Sequence, residues 1–91
     1  MEEISYDPWN IISHPHLSEK SMTMVDEDNT LVFIVDDRAN KPQIKRAVED
    51  LFEVEVEKIN TQNTRKNRKK AYVKLTPDHE ALDVATKLGM F

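Results

Sequence analysis

Two kinds of side chain in this sequence could do catalytic or metal chemistry: histidines and paired carboxylates. His14 and His16 are separated by one proline, and only His79 or scattered carboxylates could complete a metal site with them. Such a site needs three or four converging ligands, so the spacing favours a packing or hydrogen-bonding role. The acidic groups at 26–28 and 36–37 lie at turns without the base or oxyanion donors that catalysis requires. We therefore expect solvated turn carboxylates, no metal, no cofactor and no enzyme activity.

The amino-acid composition excludes several further classes of protein and of functional site. The chain of 91 residues has no cysteine, so disulfides, a thiol nucleophile and Cys-ligated zinc are excluded. Gly89 is its single glycine, whereas phosphate-binding glycine loops need several. The longest apolar run is 31–35, far below the length that crosses a bilayer. The acidic N-terminus lacks an apolar stretch, so we expect neither a signal peptide nor membrane insertion.

A basic segment is the richest feature of the sequence. Residues 58–77 contain seven cationic and no acidic side chains, while the whole chain carries a net charge of −4, which leaves −11 on the remainder. Such a molecule has one cationic pole that can attract a polyanion although the total is acidic. The cations are Lys58, Arg65, Lys66, Arg68, Lys69, Lys70 and Lys74.

The side chains around these cations favour RNA as the polyanion. Neutral hydrogen-bonding side chains precede them, namely Asn60, Thr61, Gln62 and Asn63. Lysine and arginine bind phosphates, and neutral polar groups can contact sugars and base edges. Tyr72 lies between Lys70 and Lys74, where a base or ribose could stack on its ring. A solvated basic loop beside an ordinary exposed strand is the other interpretation.

The elements that must position these residues follow from turn signals and apolar periodicity. The predicted order is β-α-β-α-β-β-α. It consists of a strand at 9–12, a helix at 18–26, a strand at 30–35, a helix at 40–52, strands at 54–63 and 69–76, and a helix at 77–88 that Thr76 caps. We predict an α+β fold, an antiparallel-type β-sheet with helices packed on it. Residues 1–8 should be a short flexible acidic N-terminus, and residues 9–91 a single domain.

Local signals support this order. Ser18 can cap the first helix, and Asn40 with Gln43 resembles a capping box. Apolar residues at helical spacing within 44–52 form one stripe. In the strand at 69–76, apolar and polar residues alternate, so the polar ones should point outward.

Three blocks of the chain resemble the large-subunit ribosomal protein family twenty-three (universal ribosomal protein L-twenty-three). They are 14–22, then Lys41–Phe52 with 54–56 and 59–61, and finally 68–76 with Val84 eight positions later. The resemblance covers about 9–91 in the right order and spacing. It implies a structural protein of the cytoplasmic ribosome that binds large-subunit ribosomal RNA near the nascent-peptide exit tunnel. Neighbouring large-subunit proteins would be its partners, and protein-targeting factors would dock there.

The resemblance also suggests particular residues. Together with the basic segment it implies RNA binding by Lys20, Lys41, Asn60, Thr61, Gln62, Asn63, Arg65, Lys66, Arg68, Lys69, Lys70, Tyr72 and Lys74. Glu19 matches an acidic position that contributes to factor docking in bacterial members.

The loop at 65–68 is shorter than in bacterial members, and the long basic N-terminal extension of eukaryotic members is replaced by a short acidic one. The chain therefore resembles the archaeal type, for which signal recognition particle or the translocon would dock. A free-standing small RNA-binding or regulatory module is the alternative.

Overall fold

The computed structural model describes residues 7–64 and 68–89. These residues form four helices and four strands: α1 (Pro8–Ile11), β1 (Ile12–Pro15), α2 (Glu19–Glu27), β2 (Thr30–Val35), α3 (Lys41–Phe52), β3 (Val56–Asn63), β4 (Lys69–Leu75) and α4 (Ala81–Lys87). The strands pair antiparallel in the order β1-β2-β4-β3. The α+β class and the antiparallel sheet are confirmed. Residues 1–6 of the predicted flexible N-terminus lie outside the described residues.

The predicted strand at 9–12 is wrong, because most of it is helix α1. The Asp7 side chain accepts a hydrogen bond from the Trp9 backbone N–H at 3.0 Å, and Pro8 occupies the first helical position. A capping carboxylate followed by proline favours a helical turn. The first strand starts instead at Ile12 and ends at Pro15. It lies at a sheet edge, where a proline is tolerated.

The last helix also begins later than expected. Thr76 does not cap it and Pro77 is not its first residue, since α4 starts at Ala81. Residues 76–79 form a turn closed by the His79 N–H, which donates to the Thr76 carbonyl at 3.0 Å. The Ala81 N–H donates to the Asn29 side-chain oxygen at 2.7 Å. The cap of α4 therefore comes from a residue distant in sequence, which a search for local caps cannot find.

The two middle helices begin as predicted. Ser18 and Ser21 form a capping box at the start of α2. In α3, the Gln43 N–H donates to the Asn40 side chain and the Asn40 N–H donates to the Gln43 side chain, both at 2.9 Å. Each box satisfies backbone donors that the first helical turn leaves unpaired.

The core lies between one sheet face and the four helices. Core residues alternate along β2 and β4, as the period of a strand requires, whereas Val56 and Ile59 of β3 are three positions apart because the register shifts between Val56 and Lys58. Strand β2 is buried on both faces as predicted. The Phe33 ring of β2 stacks on the Phe52 ring of α3, with ring centroids 5.6 Å apart. The strand side chains of the core are Leu31, Phe33, Val35, Val56, Ile59, Ala71, Val73 and Leu75.

Candidate nucleic-acid interface

The sheet register places a set of polar side chains on the face that lies away from the core. Tyr72 of β4 pairs with Val32 on one side and with Asn60 on the other. Directly paired residues project from the same face of a sheet, and residues alternate along each strand. We call this surface the outer face; its members are Thr30, Val32, Ile34, Lys58, Asn60, Gln62, Lys70, Tyr72 and Lys74.

Tyr72 lies at the centre of the outer face. Its side chain is half-buried, and its hydroxyl donates a hydrogen bond to Gln62 Oε1 at 3.0 Å. This bond crosses from β4 to β3 and fixes the orientation of the ring. A shallow groove of about 510 Å³ adjoins the ring, with Met24 of α2 on one side and Asn60 of β3 on the other. The groove lies within the volume range of ligand pockets.

Helix α2 brings a further cation to this face. Lys20 lines a small cleft together with His16, Lys70 and Tyr72. Burial lowers the pKa of His16 below its usual value, and the positive charges of Lys70 and His14 lower it further. The cleft is therefore a cationic environment in which the neutral imidazole is favoured.

Two lysines face each other across β3 and β4. Lys58 pairs with Lys74, and like charges directly opposite each other destabilise a sheet. Glu57 Oε2 lies 3.8 Å from Lys74 Nζ, and both side chains are about half exposed, so this ion pair offsets only part of the repulsion. Lys58 was counted in the basic segment but was not among the candidate contacts. Its alternation with Asn60 and Gln62 was the signal that places it on the same face.

Several candidate residues lie elsewhere. Thr61 pairs with Ala71, and Asn63 pairs with Lys69, so the side chains of Thr61, Asn63 and Lys69 project from the core side of the sheet. Thr61 nevertheless also lines the Tyr72 groove. Lys69 Nζ donates a hydrogen bond to the Ala39 carbonyl at 2.6 Å. Lys69 therefore ties β4 to the loop before α3.

Lys41 is also separate from the Tyr72 groove. It begins α3 and lines a different concavity, next to Lys45 and Val56 near the edge strand β3. Glu19 is exposed in the first turn of α2, beside the outer face.

The hairpin between β3 and β4 is confirmed by the pairing of Asn63 with Lys69. The N–H and hydroxyl of Thr64 both donate to the Arg68 carbonyl, at 2.7 and 3.0 Å. Arg65 and Lys66 lie outside the described residues. The Arg68 side chain is exposed and lines a third concavity, near Trp9 and β1.

The histidines remain outside any metal cluster. Within residues 7–64 and 68–89, no group of three or more histidine and acidic side chains could hold a metal ion. His14 Nδ1 lies 3.0 Å from the Ser13 hydroxyl. In the same part of the chain, no helix combines the length and the apolarity needed to cross a membrane.

A family model described as "Ribosomal protein L23" matches residues 10–82. The chain belongs to this family. The match covers β1 through the start of α4, so it includes the outer face and the hairpin. The members are structural constituents of the ribosome, and the chain is therefore not an enzyme.

Curated relatives extend the match over nearly the whole chain. Large ribosomal subunit protein uL23 of Methanothermobacter thermautotrophicus is 47% identical over 85 residues, which are 93% of this chain and 99% of that protein. The protein of the same name from Haloarcula marismortui is 48% identical over 83 residues, 91% of this chain and 98% of its own. Large ribosomal subunit protein uL23B of Caenorhabditis elegans is 52% identical over 83 residues, but the match spans only 57% of its length. The archaeal-type resemblance is thereby confirmed.

Proposed function

We propose that this protein is a structural constituent of the large ribosomal subunit and that the outer face of its sheet binds large-subunit ribosomal RNA. One observation carries the proposal: the register gathers Lys58, Lys70 and Lys74 around the half-buried Tyr72, while the core side chains of the strands project from the opposite face. The names of the two archaeal relatives support the same assignment. Residues 9–91 then act as one RNA-binding domain.

Each group on the outer face has a distinct part in binding. The lysine ammonium groups neutralise phosphates as point charges. The Tyr72 ring, held by its bond to Gln62, offers a flat surface on which an unpaired base or a ribose stacks. The Asn60 side chain is exposed beside it and can hydrogen-bond a sugar or base edge.

Substitutions on the outer face test this assignment. We expect Tyr72→Leu to weaken binding of a large-subunit ribosomal RNA transcript by about 5- to 100-fold, because base stacking is lost. Lys70→Gln should weaken it less, since one phosphate contact is removed. Filter binding measures both affinities, and circular dichroism shows whether the fold is unchanged.

Matched variants serve as controls. Tyr72→Phe keeps the ring and should retain most of the affinity, and Lys87→Gln removes an equal charge from exposed α4. Equal affinities for Tyr72→Leu and the unchanged protein would contradict the proposal. Cosedimentation separates it from a free-standing module: a ribosomal protein stays with large subunits through a moderate salt wash, whereas a free module is released.

We further propose a position beside other large-subunit proteins at the rim of the nascent-peptide exit tunnel, with Glu19 contacting signal recognition particle or the translocon. The resemblance of the 14–22 block supports this position. The capping box of Ser18 and Ser21 holds the first turn of α2 in place, and Leu17 beside it is 58% exposed. A fixed carboxylate next to an apolar side chain suits a cationic, partly apolar partner.

Variants at Glu19 test factor docking. Ribosomes carrying Glu19→Ala should assemble normally and bind the targeting factor more weakly, and Glu19→Lys should bind it more weakly still because the charge is reversed. Factor cosedimentation with purified ribosomes is the measurement. If both variants bind the targeting factor as well as the unchanged ribosome does, Glu19 does not contact the factor and only stabilises the positive end of the α2 dipole. Loss of assembly would assign this block to the RNA interface, with Lys20 as the next residue to substitute.

A further inference from the structure

The concavity that Arg68 lines near Trp9 lies at the β1 edge of the sheet, outside the Tyr72 groove. It has a volume of about 490 Å³, and its walls above β2 are formed by Trp9, Asn10, Ser13, His14, Asp36 and Arg68. Trp9 and Arg68 come from distant parts of the chain and line the same hollow. The sequence analysis did not predict that these two side chains lie near each other.

The fold does not use the Trp9 ring for its core. Ile11, at the other end of the single turn of α1, is 1% exposed and anchors that turn, whereas Trp9 is 59% exposed. Its backbone N–H is bound to Asp7 at 3.0 Å, so the turn that carries the ring is fixed. A tryptophan side chain can bury roughly 150–250 Å², and most of that surface is available here.

The charges around this hollow are mixed, because the Asp7 carboxylate caps the turn that carries Trp9, whereas Arg68 lines the hollow itself. The Asp36 carboxylate accepts two hydrogen bonds from the Arg38 side chain, both at 3.0 Å. These bonds hold the pKa of Asp36 at about 2, so its negative charge is already compensated. The Arg68 backbone is held by Thr64, and its guanidinium is exposed.

This hollow is continuous with the outer face. Ile34 of β2 pairs with His14 on one side and with Lys70 on the other. Neighbouring strands lie about 4.8 Å apart, so β1 and β4 are roughly 10 Å apart at this level. An RNA strand bound at Lys70 can therefore extend across β2 to His14, which lines the hollow together with Trp9.

We propose that this concavity binds an unpaired nucleotide, with its base stacked on the Trp9 indole and its phosphate on the Arg68 guanidinium. The inference rests on the RNA binding proposed above and adds a second, single-stranded contact. Unpaired bases stack on aromatic rings, and arginine binds phosphate in a forked geometry. Asn10 and His14 supply hydrogen-bonding groups on the wall of the hollow.

Fluorescence tests this site, because Trp9 is the only tryptophan in the sequence. The full chain is titrated with an archaeal large-subunit ribosomal RNA transcript while tryptophan emission and acrylamide quenching are followed. We expect RNA to quench the emission and to lower the accessibility to acrylamide several-fold. In parallel filter binding, Trp9→Leu should lose about 5- to 100-fold in affinity. Trp9→Phe should lose little.

Arg68→Gln should also weaken RNA binding. The control Leu82→Ala changes an exposed apolar side chain on α4 and should leave RNA binding unchanged. Circular dichroism checks that each variant is folded. Tight RNA binding with unchanged emission and full affinity of Trp9→Leu would overturn this inference and leave the proposed function intact. No RNA binding by the unchanged protein would overturn both. Protection of Trp9 from oxidation only in assembled subunits, and not by RNA alone, would assign the hollow to a protein neighbour and overturn the inference.

Discussion

At the scale of single residues, Asn29 connects two distant parts of the chain. Its backbone has a φ of 52°, a left-handed conformation that asparagine tolerates better than most residues. Its side-chain N–H groups donate to the carbonyls of Leu75, Thr76 and His79 at 3.3, 3.3 and 2.9 Å. Its side-chain oxygen caps α4 at Ala81. One side chain therefore joins the α2–β2 turn to the β4–α4 turn.

We expect Asn29→Ala to lower the free energy of unfolding by about 2–4 kcal/mol, since it adds backbone strain and removes these bonds. Asn29→Gly should be less harmful, because glycine accepts the left-handed backbone. Asn60→Ala, on the exposed outer face, is the matched control and should change stability little. Urea unfolding measures all three. A value for Asn29→Ala within 0.5 kcal/mol of the control, roughly the range of neutral surface changes, would contradict this account.

At the scale of elements, one pair of stacked rings connects strand β2 to helix α3. The Phe33 and Phe52 rings are nearly parallel, with an interplanar angle of 9°. Phe33 is fully buried and Phe52 is partly buried. Stacked rings contribute about 0.5–1.5 kcal/mol beyond the area that they bury.

A double-mutant cycle with Phe33→Leu and Phe52→Leu should therefore give a coupling of about 0.5–1.5 kcal/mol. Leucine keeps an apolar side chain at each position, so the cycle isolates the interaction between the rings. Chemical denaturation of the two single variants and the double variant provides the values. Additive losses would mean that each ring contributes only through its own burial.

At the scale of the whole molecule, the separation of charge governs how the protein approaches RNA. If Arg65, Lys66, Arg68 and Lys70 each neutralise a phosphate, together they should contribute roughly −3 to the slope of the logarithm of affinity against the logarithm of salt concentration. Serine at these four positions should weaken RNA binding strongly and make the slope shallower, and Lys58 and Lys74 of the outer face account for the slope that remains. An unaltered slope would place the RNA surface elsewhere, with α2 as the next candidate.

The bond from Lys69 to Ala39 makes Lys69 different from its neighbours. Lys69→Ser alone should change the salt slope little and lower the free energy of unfolding by about 1.5–3 kcal/mol, because a hydrogen bond of a charged group is lost. Lys70→Ser should do the reverse, since Lys70 lies on the outer face. Comparing the salt slopes and the urea midpoints of the two variants distinguishes the two roles.

Features that arise from interactions between near neighbours in the chain could be predicted from the amino-acid sequence. The starts of α2 and α3 depend on contacts between residues three positions apart, and the burial of β2 follows from its unbroken apolar run. The alternation in β4 correctly separates Ala71, Val73 and Leu75 from Tyr72. Such features can be predicted because all the residues that produce them lie within one segment of the chain.

The way in which distant segments meet could not be predicted, because it depends on long-range contacts. The cap of α4 spans 52 positions, and the pairing of β2 with β4 rather than β3 cannot be read from either strand alone. The register sends Lys70 to the outer face and its neighbour Lys69 to the Ala39 carbonyl, although both are lysines in one basic run. It also brings Arg68 to Trp9. The physical reason is that strand pairing is a long-range contact, and a shift of one residue exchanges the two faces of a strand.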